Sequence, residues 1–325
     1  MFTKNPRIKN IIFVIPPKVH LLDINGPAHL FYEAKEYGAD IDLHFVSIDN
    51  QKEIQSSAGL YFTKLSSFSQ FTLTKNDFIF IPGVEFQLLS DPVFIQKSKT
   101  FFDWLRVQYN NEVNICSVCT GTFLLAESGI LDGNTCTTHW KYLTEFENRF
   151  TSVELINNRL FVVDNNLYSS AGVSSGIDLS LYILEQLYGP KFAIDIAKEV
   201  VLYFRRGESD PQLSVFLQYR NHLDTRIHDV QDYMIKHLHS SFTLEDLAED
   251  IHMSSRNLTR LFKKTTGVTI GAYHEKLRVD KAIHLLAEGN KVSYVAHLCG
   301  LKSTNQLRSL LKKHQNALPT SITSL

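Results

Sequence analysis

The segment Asn114-Ile115-Cys116-Ser117-Val118-Cys119-Thr120-Gly121-Thr122-Phe123-Leu124-Leu125-Ala126-Glu127 decides the fold of the first two thirds of the chain. Its opening residues form the short, continuous apolar run of a strand buried on both faces. After a very tight junction the apolar pattern resumes as a helix. Cys119 sits on the bend. A strand-to-helix elbow lifts its side chain above the sheet, beside a helix N-terminus that favours a thiolate. This suits a nucleophile, and it equally suits a free cysteine packed as a small hydrophobe.

Ile11 to Ile15 is a second buried-strand run, followed by a turn and a helix from Ala28 to Tyr37. Strands are expected at Ile41 to Ile48, Phe78 to Ile81 and Val113 to Val118, with a helix through Phe94 to Val107. This alternation predicts the α/β class, a parallel sheet covered by helices with its ligand site beyond the carboxyl ends of the strands. Gly83 and Cys119 fall at two such ends. Asp23 is a carboxylate in an apolar stretch at the first strand-to-helix junction, readable as a site residue or as a surface loop acid. His139, in Thr138-His139-Trp140, is a candidate partner for the thiol or an ordinary hydrogen-bonded histidine. The small-residue turn Ser169 to Asp178 opens a helix, either facing an anion with its N–H groups or simply capped by Ser174 or Ser175.

With 325 residues, 44% hydrophobic and 21% charged, the chain is expected to hold two globular domains, which excludes fibrous and disordered classes. No apolar run approaches the roughly 18 residues of a membrane span, and residues 1 to 10 are polar, so no membrane partner and a cytoplasmic location are expected. Cys116, Cys119, Cys136 and Cys299 form neither a disulfide framework nor a paired C-x-x-C zinc pattern. No metal and no cofactor are expected.

The near-neutral total hides an asymmetry. Residues 1–219 carry 18 Lys and Arg against 24 Asp and Glu, a balance of −6. Residues 220–325 carry 15 against 10, a balance of +5, with 9 of the 13 His. A basic tail on an acidic body points to a polyanion met by the tail alone.

The tail repeats itself. Leu244, Leu247, Ala248, Ile251 and Met253 recur 48 residues later as Val292, Val295, Ala296, Cys299 and Leu301. Leu258, Leu261, Phe262, Lys263, Lys264 and Tyr273 recur 49 later as Leu307, Leu310, Leu311, Lys312, Lys313 and Ile322. In each copy a short amphipathic helix with a central Ala meets a turn, and a second helix starts at a Ser cap, Ser254 or Ser303. Apolar spacing turns Leu258, Leu261 and Phe262 inward and leaves Ser255, Arg256, Asn257, Arg260, Lys263 and Lys264 outward. In the second copy Thr304, Asn305, Arg308 and Lys312 face outward, a reading face poorer in charge. Arg and Asn read guanine and adenine edges, and Lys suits phosphate. An ordinary solvated helix face is the plainer alternative.

Two resemblances follow from these residues. The ordered set Asp23-x-x-Gly26-Pro27, Ile81-Pro82-Gly83, Cys119-Thr120-Gly121, Thr138-His139-Trp140 and Ser170-Ala171-Gly172 through Gly176-Ile177-Asp178 resembles the class I glutamine-amidotransferase-like superfamily, in its PfpI-type branch, over roughly residues 8 to 200. The resemblance implies a flavodoxin-like sandwich whose enzymatic members use the positions of Cys119, His139 and Asp23 as a reactive-cysteine pocket. Val84 stands where the branch often has a second Gly. The tail, with Met253-Ser254-x-Arg256-x-Leu258-x-Arg260-x-Phe262, Leu277-Arg278 and Val295-Ala296-x-x-Cys299-Gly300-Leu301, resembles the AraC/XylS-type double helix-turn-helix domain. Leu301, Leu311, Asn316 and Leu318 depart from its usual residues, so weaker DNA binding by the second unit is expected.

The expected organisation is a sensor domain over 8–204, a linker over 205–222 with its break at Phe204 to Pro211, and a DNA-binding domain over 223–325. Together the resemblances imply a transcription regulator that is not an enzyme. Its expected effector-binding residues are Asp23, Gly83, Val84, Cys119, Thr120, His139, Trp140 and Gly172. Expected partners are double-stranded DNA, a small-molecule effector and a second copy of the chain, with RNA polymerase left open. The competing readings are an amidase, hydratase or glyoxalase-like enzyme with Cys119 as nucleophile, and a redox sensor at that thiol.

Overall fold

The computed structural model describes residues 10–157, 159–172, 174–202, 206–208, 212, 215–240, 242–287, 289–315 and 318–319. Much of the expected break at Phe204 to Pro211, together with Asn316 and Ile322, lies outside them. The chain divides into two compact units, Met1–Gln212 and Leu213–Leu325.

The first unit is built on a seven-stranded sheet: β1 (Asn10–Ile15), β2 (Asp42–Ser47), β3 (Ser66–Ser67), β4 (Phe78–Ile81), β5 (Asn114–Val118), β6 (Phe161–Asp164) and β7 (Leu167–Ser170). Their order is β6-β7-β5-β4-β1-β2-β3. All neighbours run parallel except the edge pair β6 and β7. That pair is antiparallel because only Asn165 and Asn166 join it, too few for a crossover, and Asn165 takes a positive φ of 55° to make the turn. The central strands read as unbroken apolar runs because helices cover both faces. Phe13, Phe80, Cys116 and Val118 pack toward α1 (Leu21–Glu36), α6 (Ser175–Tyr188) and α7 (Pro190–Glu199). Ile12, Ile79, Ile81 and Ile115 pack on the opposite side with Phe94 of α2 (Pro92–Lys97), Phe101 of α3 (Lys99–Asn110), Phe123 of α4 (Gly121–Glu127) and Phe146 of α5 (Leu143–Arg149). This is the expected α/β sandwich.

Two boundaries differ from expectation. α1 begins at Leu21, not Ala28, and so takes Asp23 into its first turn with Pro27 inside the helix. Pro27, the seventh residue of the helix, has no N–H for the Asp23 carbonyl four residues back, and its ring crowds that carbonyl. The expected helix over 94–107 is two helices meeting at Ser98, the first capped by Asp91, whose side chain accepts from Val93 N–H.

The second unit is helical: α8 (Val215–Tyr219), α9 (Thr225–Lys236), α10 (Leu244–Asp250), α11 (Ser255–Thr266), α12 (Ile270–Ala287), α13 (Val292–Leu298) and α14 (Thr304–Gln315). It has two separate cores that share α12. Tyr273 and Leu277 of α12 join Leu247, Ala248, Leu258 and Phe262. Val279, Ala282 and Leu286 join Val295, Ala296, Leu307 and Leu311. The duplicated sequence is thus a duplicated core, with Ala248 and Ala296 buried at matching places.

Gly121, which opens α4, is fixed by crowding: a Cβ there would lie 2.3 Å from the Ile81 carbonyl oxygen and 2.8 Å from that of Pro82. Both are backbone atoms that cannot swing aside. Trp104 and Trp140, the two tryptophans of the chain, lie in the first unit, so intrinsic fluorescence follows that unit alone. Gly121→Ala should lower its stability in urea by about 2 kcal/mol or more. An unchanged fluorescence midpoint would contradict this account of the elbow.

Candidate functional site

The carboxyl ends of β1, β4 and β5, three adjacent strands, bring the expected pocket together. β5 delivers Cys119 in the left-handed region, φ 59°, the conformation of a sharp elbow that only surrounding structure sustains in a non-glycine residue. Its N–H donates to the Ser170 carbonyl at 2.9 Å, and its own carbonyl accepts from the Thr138 hydroxyl at 3.0 Å. β1 leads through an isolated antiparallel bridge, Val19 with Val84, to His20 and then Asp23. β4 leads to Gly83 and Val84.

Asp23 is fully buried. Its Oδ2 accepts from Gly83 N–H at 2.9 Å, while its Oδ1 has no hydrogen-bond partner. Burial pushes this carboxyl up to about 7, opposed by the Gly83 N–H and by the Cys119 side chain. Gly83 is required by approach: a Cβ would meet Asp23 Oδ2 at 2.5 Å, Thr120 Oγ1 at 2.8 Å and Cys119 Cβ at 3.1 Å. Val84 N–H donates to Thr120 Oγ1 at 3.1 Å, and that hydroxyl lies 3.1 Å from the Val84 carbonyl, to which it donates. Both backbone N–H groups of this loop therefore already have partners inside the protein.

The thiol is not activated as the elbow alone suggested. Cys119 is 3% exposed, and burial drives its thiol far above the ordinary range, helped by the Asp23 carboxylate beside it and only partly offset by the Thr120 N–H and hydroxyl. Desolvation outweighs the helix N-terminus because the short α4 offers its field to a sulfur that water scarcely reaches.

His139 caps a short 3-10 turn, its ring nitrogen accepting from Lys141 N–H at 3.3 Å. It is half-buried, its Cδ2 3.4 Å from where a Gly172 Cβ would lie. Burial lowers its pKa, as do Lys141 and His20. Trp140 is half exposed beside it, ring centroids 5.6 Å apart. The structure thus joins Asp23, Gly83, Val84, Cys119 and Thr120 in one contact set and sets His139, Trp140 and Gly172 at its margin.

His20 was missed. It is the N-cap of α1, its N–H donates to the Gly83 carbonyl at 2.9 Å, and its Nδ1 lies 3.8 Å from Asp23 Oδ2. Burial lowers its pKa, with Glu85 opposing. Its spacing of three from Asp23 was the available signal, hidden by placing the helix start at Ala28. Two further residues were missed, Arg206 and Gln212. Asp178, 3% exposed, accepts from Arg206 Nη2 at 2.6 Å, Nε at 3.0 Å and backbone N–H at 3.1 Å, and Arg206 also donates to Ser174 Oγ at 2.8 Å. Gln212 Nε2 donates to the Thr138 carbonyl at 3.0 Å and to Thr137 Oγ1 at 3.1 Å. A cavity of about 980 Å³ lies elsewhere, between Leu22, His29 and Tyr32 of α1, Leu43 and Phe45 of β2, and Phe62 to Ser66.

In the second unit a capping box, Thr243 with Asp246, starts α10. Ser254 caps α11 by accepting from Asn257 N–H at 3.3 Å, and Gly267 ends it at φ 80°. Leu258 and Phe262 are fully buried, while Arg256, Asn257, Arg260, Lys263 and Lys264 are exposed. Ser255 is half-buried, its hydroxyl reaching Glu245 at 3.5 Å. In α14, Asn305, Arg308 and Lys312 are exposed and Thr304 is half-buried. Arg308 Nη1 donates to Asn305 Oδ1 at 3.2 Å. Leu311, smaller than the residue usual there, is still fully buried, and Leu301 packs against the same core.

Comparison with known proteins accords with this geometry. The sequence profile of the DJ-1/PfpI family matches residues 9–186, and that of a helix-turn-helix domain matches residues 247–324. The chain is 32% identical over 234 residues to the HTH-type transcriptional regulator CdhR of Pseudomonas aeruginosa, 71% of this chain and 67% of CdhR. It is 28% identical over 200 residues to isonitrile hydratase of Pseudomonas putida, 61% of this chain and 79% of that protein. The crystal structure of DJ-1beta from Drosophila melanogaster, 18% identical, superposes with a TM-score of 0.51 over 60% of this chain and 99% of its own, a likeness of fold. The chain belongs to the DJ-1/PfpI family and carries, behind that domain, a helix-turn-helix domain of the AraC type.

Proposed function

We propose that the chain is a DNA-binding transcription regulator whose DJ-1/PfpI domain takes a small metabolite and thereby alters the hold of the second unit on its operator. One observation carries this reading: α11 turns Arg256, Asn257, Arg260, Lys263 and Lys264 to solvent on the side opposite Leu258 and Phe262, and α14 repeats the arrangement. Similarity to CdhR across both units supports it. The two helices enter successive major-groove segments, about 34 Å apart, and Ser255 and Thr304 stand at the N-terminal turns nearest the bases. The regulator acts in the cytoplasm as a homodimer, matching a two-fold operator.

The pocket around Asp23 and Cys119 is the effector site, with Gly83, Val84, Thr120, His139, Trp140 and Gly172 as its walls. The segment leaving the first unit is tied to those walls. Arg206 holds Asp178 and Ser174 on the turn after Gly172, and Gln212 holds Thr137 and Thr138, whose hydroxyl grips the Cys119 carbonyl. An effector that shifts either wall strains these ties, and a coupling of about 1–3 kcal/mol suffices for regulation.

A second reading, a hydratase with Cys119 as nucleophile, draws on the isonitrile hydratase likeness. The buried, protonated thiol and the engaged N–H groups of Gly83 and Val84 weigh against it, since a nucleophile needs its thiolate and an oxyanion needs free donors.

Three outcomes test these statements. Arg256→Ala with Arg260→Ala should abolish specific DNA retention and flatten its decline between about 50 mM and 200 mM salt; retention equal to wild type would reject the assignment. Incubation with an aliphatic isonitrile should give no formamide above the level of Cys119→Ala, and turnover lost in that variant would restore the enzyme. Finally, the Asp23 carboxyl binds its proton more tightly folded, at about 7, than unfolded, at 3.8. Its stabilising contribution is therefore complete below the unfolded value and disappears as pH rises through 7, an effect on the order of a few kcal/mol. Asp23→Asn cannot ionise, so its melting temperature should gain on wild type between about pH 5 and pH 8; parallel curves would refute the assigned protonation.

A further inference from the structure

The ligand-capable atoms of His20, Asp23 and Cys119 all lie within 4.8 Å of one another. They come from a helix N-cap, the first turn of that helix and the elbow after β5, segments far apart in sequence that the sheet brings to one point. We infer that this cluster is a binding site for a single borderline-soft divalent cation of the zinc type, held by the imidazole of His20, a carboxylate oxygen of Asp23 and Sγ of Cys119.

Four observations carry the inference. Oδ1 of Asp23 is buried without a hydrogen-bond partner, a costly state for a carboxylate oxygen that a cation would relieve. Its sister oxygen is already fixed by Gly83 N–H at 2.9 Å, the outer-shell bond that orients a ligating carboxylate. His20 is held by its backbone to the Gly83 carbonyl, while its side chain, 33% exposed, gives the ion a way in from solvent. The donor set of sulfur, nitrogen and oxygen suits zinc and excludes the hard, all-oxygen preference of magnesium and calcium.

Charge and distance agree with that choice. A thiolate and a carboxylate balance a dication with neutral imidazole completing the set, so the buried assembly has no net charge. Binding releases the thiol proton to solvent as the zinc–sulfur bond forms and, below about pH 7, the Asp23 carboxyl proton as well. Donors around tetrahedral zinc stand about 3.5 Å apart, so the widest pair, at most 4.8 Å, closes by about 1 Å on binding. Three protein ligands leave one position for water or for an effector atom. Cys116 is fully buried in the core and is not a member, so the C-x-x-C spacing is incidental.

Cobalt(II) is the probe, added to the full chain after chelator treatment and dialysis. One equivalent should produce a thiolate-to-cobalt charge-transfer band with the intense visible bands of four-coordinate cobalt, and one equivalent of zinc(II) should remove both. His20→Ala should weaken the titration at least 10-fold, and Cys119→Ser should eliminate the charge-transfer band. Fluorescence melts establish that each variant is folded. If Cys119→Ser proves unfolded, His20→Ala and His20→Gln carry the test between them. Absence of the band in wild type, or equal cobalt affinity in wild type and His20→Ala, overturns the proposal; the second result would assign the metal to other groups, such as the histidines of the basic tail. The inference does not depend on the regulatory reading, whose own test is read on α11 in metal-free buffer.

Discussion

The organising constraint of the first unit is the contact between two loops at the carboxyl ends of β4 and β5. Gly83 and Gly121 have no side chain, so the backbone after β4 lies directly against Asp23 and Thr120, and the start of α4 lies directly against the Ile81 and Pro82 carbonyls. Everything chemical follows from that closeness. It lets Gly83 N–H reach a buried carboxylate, lets the Thr120 hydroxyl serve both polar groups of Val84, and holds Cys119 at a positive φ with its sulfur out of water. A looser loop would admit solvent, and both acids would return toward their ordinary ranges. The pocket is defined less by which residues it contains than by how thoroughly it is dried.

That distinction explains what the sequence disclosed. Strand runs such as Phe78 to Ile81 and the elbow at Cys119 are local patterns, and each is present where its period and its small residues put it. The tail was legible for a similar reason, since a repeat with buried Ala248 and Ala296 and capping Ser254 fixes helix ends and faces together. Desolvation is not local. The elbow predicts a lowered thiol pKa and the burial around it produces the opposite, because the water-excluding atoms come from segments separated by tens of residues. His20 escapes the sequence pattern because the helix expected from Ala28 begins at Leu21, which puts its N-cap seven residues and more before the expected element. Arg206 and Gln212 sit in a polar stretch that reads as a bare connector, and only the fold discloses their partners.

The two units answer different electrostatic problems. The acidic first unit buries Asp23 and Asp178, one with a single backbone donor to Oδ2 and one under a guanidinium fork. The arginine fork fixes the Asp178 carboxyl in place, whereas burial raises the Asp23 carboxyl to about 7 and leaves it open to exchange with a proton or cation. The basic second unit keeps its charges on the surface, where they cost little and draw a polyanion from a distance.

Within that unit, α12 runs through both cores, its first half packed with α10 and α11 and its second with α13 and α14. Glu275 on α12 takes Lys313 at 2.6 Å and His314 at 3.1 Å, fastening the end of α14 to the same rod. A helix of 18 residues is about 27 Å long and does not stretch. The pair of reading helices therefore works as a caliper of set opening. It measures the phase between two stretches of the duplex as strictly as it reads their bases, and a base pair inserted between them turns one stretch away from its reader.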